Sequence, residues 1–148
     1  MAFTTGTSQL KKNYYRVFVK SEAGTDFANY TEVGACDAGG SMGEEKGDEQ
    51  GLMIGKKLVV NKDANVDFTV LEVTKANVEA LRTLVNKDTT VVFTQQANFT
   101  APTSDDWVIK NVNVFPTLKI NSNALNRVEM SGVREIPADD ITTIAPGA

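Results

Sequence analysis

The 148-residue chain has no histidine, which removes Ser-His-Asp and Cys-His catalysis and His-ligated metal sites before any motif is weighed. It has one cysteine, Cys36, so no internal disulfide can form and a disulfide-stapled scaffold is excluded. No apolar run approaches the roughly 18 residues that a membrane-spanning helix needs. The first residues, "MAFTTGTSQLKK", lack the basic start and apolar core of a Sec signal peptide. Positive charge is scarce too: 15 Lys and Arg stand against 19 Asp and Glu, a formal net charge of −4. Tight binding to nucleic acid is disfavoured, because affinity for a phosphate backbone comes mainly from Lys and Arg displacing counterions. A net negative charge still permits a protein along which nucleic acid passes without being held.

What remains is ordinary globular material, 41% apolar and 23% charged, of a length that suits one domain. A chain of this size buries roughly 70% of the surface its unfolded form exposes, so it needs no metal or disulfide to fold. "YYRVFVK" (14–20) alternates and is rich in aromatic and β-branched residues, the pattern of a strand. "ANYTEVG", "KKLVVN", "TTVVFTQQ", "WVIKNVNVFPTLKIN" (107–121), "NRVEMSGVREI" (126–136) and part of "PADDITTIAPGA" read as strands as well. Pro116 is expected to bend or end the fourth of these. The clearest strand is "NVDFTVLEV" (65–73), with Val66, Phe68 and Val70 on one face and Asp67, Thr69 and Leu71 on the other. Thr74 then suits the N-cap of a helix over about 75–86, where Val78, Leu81, Leu84 and Val85 form one apolar stripe. About seven or eight short strands and one flanking helix predict a mainly β (α+β) single domain, a β-sandwich or barrel.

The motifs that invite chemistry fail on geometry. "GLMIGKK" is one residue short of a phosphate-binding loop, has Lys57 where Ser or Thr belongs, and leads into a strand instead of a helix. Asn61, Asp63, Asn65, Asp67 and Glu72 sit at EF-hand positions 1, 3, 5, 7 and 12, but Val66 stands where the loop requires glycine, and the segment reads as a strand. Cys36 has no histidine partner and reads as a small structural residue. "NYT" and "NFT" match glycosylation sequons, a pattern common by chance. Asp105 and Asp106 are adjacent on a loop, unlike a glycosidase pair set across a cleft, and are expected to be solvated. No constellation forms an active site; no cofactor or metal is implied, and the chain reads as a non-enzyme.

One segment resists the strand reading. Residues 34–56, "GACDAGGSMGEEKGDEQGLMIGK", hold seven of the eleven glycines together with Asp37, Glu44, Glu45, Asp48 and Glu49. Loops beyond roughly 12–15 residues are uncommon in compact domains unless they are functional or disordered. Its acidic, Gly-rich part cannot bury enough apolar surface to fix itself. Yet Leu52, Met53 and Ile54 form an apolar cluster that a second copy of the protein would cover. Two readings follow: a flexible loop with Leu52 and Ile54 tucked onto their own sheet, or an arm, in one form a β-hairpin, that packs on a neighbouring subunit.

A β-sandwich with one flanking helix, a long arm between early strands, an acidic balance and no catalytic residues resembles the tail tube proteins of tailed bacteriophages and related contractile injection machines. "WVIKNVNVFPTLKIN" followed by "NRVEMSGVREIP" is similar to the closing half of such proteins, and the likeness covers 14–145 in element order. The resemblance implies a structural virion protein of the tail, made in the bacterial cytoplasm. It implies self-assembly into stacked, hexameric rings whose sheets join into a barrel around a channel for DNA. Residues 34–56 would be the stacking arm, with Gly39, Gly40, Met42, Gly51, Leu52, Met53, Ile54 and Gly55 at the contact between rings. Tape-measure, tail-terminator, baseplate and sheath proteins are the further partners it implies, and an acidic lumen would let DNA slide. The alternatives are another virion component (a capsid decoration protein or head-to-tail connector) or a monomeric β-sandwich module that binds a ligand or cation through the glycine-rich loop.

Overall fold

The computed structural model describes residues 15–22, 26–33, 40–71, 73–140 and 144–146. Cys36, Asp37, Gly39 and Glu72 lie outside the described residues. In chain order the elements are β1 (Arg16–Ser21), β2 (Thr31–Glu32), β3 (Ser41–Lys46), β4 (Glu49–Gly51), β5 (Lys57–Val59), β6 (Asn61–Val70), α1 (Lys75–Arg82), β7 (Thr89–Thr94), β8 (Trp107–Lys119), β9 (Arg127–Pro137) and β10 (Ile144–Pro146). The fold is mainly β, and every pairing is antiparallel.

The sheet runs β2-β1-β7-β8-β9-β6-β3, with β10 beside the start of β8 and β4 paired with β5. β8 belongs to two leaves. Its first residues pair with β7 and β10, while Asn113–Lys119 pair with β9. The change of leaf occurs at a bulge. Thr89 faces Val112 but Val91 faces Ile109, so β8 carries one extra residue here, and Asn111 takes φ 56. Asparagine is among the few non-glycine residues that tolerate this left-handed region, and such a bulge bends the strand. The bend therefore falls at Asn111 and not at Pro116. Strand pairing continues through Pro116↔Met130 to Lys119, because among the described residues β8 has only β9 as a strand neighbour there, and an edge accepts a residue without an N–H. Gly132 lies in the same crease: a Cβ there would meet the Asn113 carbonyl oxygen at 2.8 Å and a Val112 methyl at 2.9 Å.

The leaves and the helix enclose one core. Val17 and Val19 of β1, Val91 and Phe93 of β7, Ile109, Val112 and Val114 of β8, Val66, Phe68 and Val70 of β6, and Val128 and Met130 of β9 meet Val78, Leu81 and Leu84. Fully burying such side chains stabilises the fold by about 1.5–3 kcal/mol each. Thr74 caps α1, its side chain accepting from the Asn77 N–H at 3.2 Å. The helix stops four residues before the expected end. From Thr83 the N–H groups reach back three residues instead of four, Thr83 Oγ1 donates to the Ala80 carbonyl, and Asn86 adopts φ 61. A hydroxyl bonding back to the preceding turn competes with the helical ladder, and tight i→i+3 turns are a usual helix ending.

Candidate functional site

The acidic, glycine-rich segment is where the structure departs most from the sequence reading. Its described part does fix itself, as strands. β3 pairs with β6 and β4 pairs with β5 in one register: Ser41↔Asp67, Lys46↔Lys62, Glu49↔Val59 and Gly51↔Lys57 all sum to 108. Residues 41–67 are thus a single long β-hairpin. Its base lies in the sheet, and its outer part, from Gly47 to Val60, extends beyond it. The signal missed was the two-residue alternation of β6, which continues back to Asn61 and leaves the acids of β3 a partner strand.

The joint between base and outer part is held by Asn61. Its Oδ1 accepts from the Asp48 N–H at 2.7 Å, and its Nδ2 donates to Asp48 Oδ2 at 3.1 Å and Glu135 Oε1 at 2.7 Å. Gly47 is required beside it, since a Cβ would fall 2.0 Å from Asn61 Oδ1. The backbone carries the ladder across the joint through Gly47 N–H to the Asn61 carbonyl and Val60 N–H to the Asp48 carbonyl. At the far end Leu52 N–H donates to the Lys56 carbonyl and Gly55 N–H to the Leu52 carbonyl. Gly55, at φ 78, supplies the left-handed residue with which a three-residue hairpin loop closes.

The tip gathers Gly51, Leu52, Met53, Ile54 and Gly55. Leu52 is 44% exposed, Ile54 75% and Met53 fully exposed, so none is tucked onto the parent sheet. Leu58 and Val60 are exposed along the stem. Of the other expected arm residues, Gly40 precedes β3, and Met42 is half-buried against the chain's own core.

The second leaf, β8-β9-β6-β3, has two further properties. First, its outer face is acidic toward the hairpin. Direct pairing puts Glu45, Asp63 and Glu135 in one row, and Ser41, Asp67, Ser131 and Phe115 in another. Among the described residues no lysine or arginine forms an ion pair with any of these four acids. At the opposite end of the face, Glu129 is paired with both Lys119 and Arg127, each at 3.1 Å. Second, both margins of the leaf lack a strand neighbour among the described residues: β3 pairs only with β6, and Asn113–Lys119 only with β9. Three antiparallel steps separate them, so the two margins run in opposite directions.

The other residues weighed from sequence fall elsewhere. Asp106 is not solvated but buried, accepting from Thr94 Oγ1 at 2.7 Å, Gln96 Nε2 at 2.5 Å and the Thr103 N–H at 2.9 Å. Asp105 stays at the surface. Asn61, Asp63, Asn65 and Asp67 spread along β6, and no group of three or more Cys, Asp or Glu among the described residues is placed to hold a metal ion. Gly51 and Gly55 belong to a hairpin turn with a strand on each side, the wrong frame for a phosphate loop. Arg16 donates to both carboxylate oxygens of Glu32, at 3.1 and 2.6 Å, and this holds the Glu32 carboxyl below its usual range. A scan against protein-family models finds no match for this chain, and no curated protein matches it.

Proposed function

We propose that this protein is a structural, non-catalytic virion component that self-assembles into stacked rings, the tube of a phage tail through which DNA passes. The observation that carries the reading is the second leaf, whose two margins lack a strand neighbour among the described residues and run in opposite directions. β3 of one copy laid against Asn113–Lys119 of the next makes an antiparallel junction, and a head-to-tail contact repeated about an axis closes a ring without leaving an edge. The acids Glu45, Asp63, Asp67 and Glu135 would then face one side of a continuous sheet. Placed around a lumen, they would repel phosphates and leave DNA free to slide.

The test is negative-stain microscopy of the purified protein and of a chain with a shortened hairpin. Asp48 and Val60 face each other in the register, so Asn-Gly in place of residues 49–59 makes a two-residue turn without disturbing β3 or β6. The full chain is expected to form rings and tubes, and the shortened chain rings alone. A full-length protein that stays monomeric at millimolar concentration overturns the reading.

A further inference from the structure

The hairpin tip and a second surface feature lie at opposite ends of β6. β6 begins at Asn61, where the outer hairpin departs, and ends at Val70, four residues before the cap of α1. At that far end, between α1 and the close of β8, is a cleft of about 370 Å³. Val73, Val78 and Leu118 line it, Ile120 lies at its rim with 66% of its surface exposed, and the charged heads of Lys75, Glu79 and Arg82 surround it. The span from Lys57 to Val70 is about 45 Å of extended chain, so no tip reaches the cleft of its own molecule.

We propose that the cleft is the receptor for the hairpin tip of a second copy, so that copies stack head to tail along the direction of β6. This rests on the self-assembly reading above and adds the acceptor to it. Two observations fix the occupant. The tip offers three adjacent uncovered apolar side chains, Leu52, Met53 and Ile54, and the cleft offers an apolar floor of a size to take one or two of them. The charges also match by translation. The hairpin end of the second leaf carries Glu45, Asp63 and Glu135, none of them in an ion pair among the described residues, beside Lys62 paired with Glu44 and Lys46 and Lys57 with Glu49, whereas the cleft end carries Lys75 and Arg82 against Glu79, and Lys119 and Arg127 against Glu129. Moving one copy along β6 brings the acidic end of one onto the basic end of the next. A reversed, two-fold arrangement would set acid against acid or base against base.

The experiment uses the full chain carrying Cys36→Ser. Cysteine is introduced at Ile120 together with Met53 or Ile54, and the assembled protein is oxidised. The stacking contact predicts a ladder of disulfide-linked multimers that each single-cysteine chain fails to give, since two cysteines join only when their Cα atoms come within about 7 Å. Separately, Ile120→Asp is expected to raise the concentration needed for stacking at least tenfold. Ile120→Val should leave it within twofold, and the melting temperature of the unassembled protein should not change, because Ile120 is exposed. Tubes that form without the ladder and tolerate Ile120→Asp overturn the acceptor while leaving the tube reading intact. Cross-links confined to 120–120 pairs overturn it in favour of a two-fold contact, and a chain that never assembles overturns both.

Discussion

Two long segments without a strong strand or helix signal meet opposite fates here. The connection from Gln95 to Asp106 folds onto its own sheet. Phe99 packs on Phe18 with ring centroids 4.3 Å apart and meets Tyr30 edge-on at 5.4 Å, forming a small apolar patch outside the main core. Arg16 fastens the start of the connection by donating to the carbonyls of Gln96 and Ala97, and Asp106 fastens its end. The outer hairpin does the reverse. Its polar groups satisfy one another across the ladder, and its tip leaves Leu52, Met53 and Ile54 exposed. The difference is in what each segment leaves over. The connection ends with its aromatic ring covered and its buried carboxylate satisfied, so it is complete in one copy. The hairpin ends with its backbone satisfied and its apolar surface bare, so it is complete only against something else.

The sharpest way to break that contrast is at Asp106. Its carboxylate accepts three hydrogen bonds while 1% exposed, so Asp106→Ala leaves the fully buried Thr94 hydroxyl without its acceptor and removes the one that Gln96 and the Thr103 N–H share, although Gln96 Nε2 keeps the Ala101 carbonyl. A loss of about 3 kcal/mol is expected in urea titration, since each buried group left without a partner costs about 1–3 kcal/mol. Asp106→Asn should recover less than half of it. An amide brings two donors to a site where Thr103 N–H already donates. A loss under about 1 kcal/mol would mean the connection is not held by this residue, and that it resembles the hairpin more than the contrast allows.

Which segment would take which course was only partly legible in the sequence. The alternation of Val66, Phe68 and Val70 and the cap at Thr74 are local signals, and the structure places those residues in the core and at the helix start as read. The hairpin's first two strands, β3 and β4, carried no such signal. Gly43, Glu44, Glu45, Gly47 and Asp48 have low β-propensity, and β3 exists because β6 offers a ladder in the register 41↔67 that continues through the tip. Cross-strand register is not local information, so the row of Glu45, Asp63 and Glu135 could not be assembled from one strand's alternation. Asp106 was misjudged for a related reason. An acid beside another acid on a loop is usually solvated, and its three donors come from positions 94, 96 and 103, on the strand and the loop that precede it.

A smaller effect is expected at the other fastening of the connection. Arg16 depresses the Glu32 carboxyl through the paired hydrogen bonds, with burial opposing and the opposite charges adding to the depression. A carboxyl lowered in the folded state contributes stability that is complete above its ordinary value near about 4 and is lost as pH falls through the lowered folded value. Thermal melts from neutral to strongly acidic pH should therefore show a component that Glu32→Gln removes. The pair is largely exposed, so its size is about 1–2 °C and it shrinks in high salt. A Glu32→Gln profile parallel to that of the parent chain at every pH would separate Arg16 from this role and leave its bonds to Gln96 and Ala97 as its whole contribution.

The smallest change in stability is expected where the contrast is most exposed, at the tip. Met53→Ser with Ile54→Ser removes two large apolar side chains that the parent molecule does not cover, and substitutions at such positions stay within about 0.5 kcal/mol. Urea unfolding of the unassembled double variant should superimpose on that of the parent, while stacking seen by microscopy is lost. The two measurements have to diverge for the comparison to hold. If the double variant instead loses about 1.5 kcal/mol or more, the tip is packed against its own molecule in solution. The hairpin would then be a second self-contained loop, its apolar residues explained by the fold of one copy.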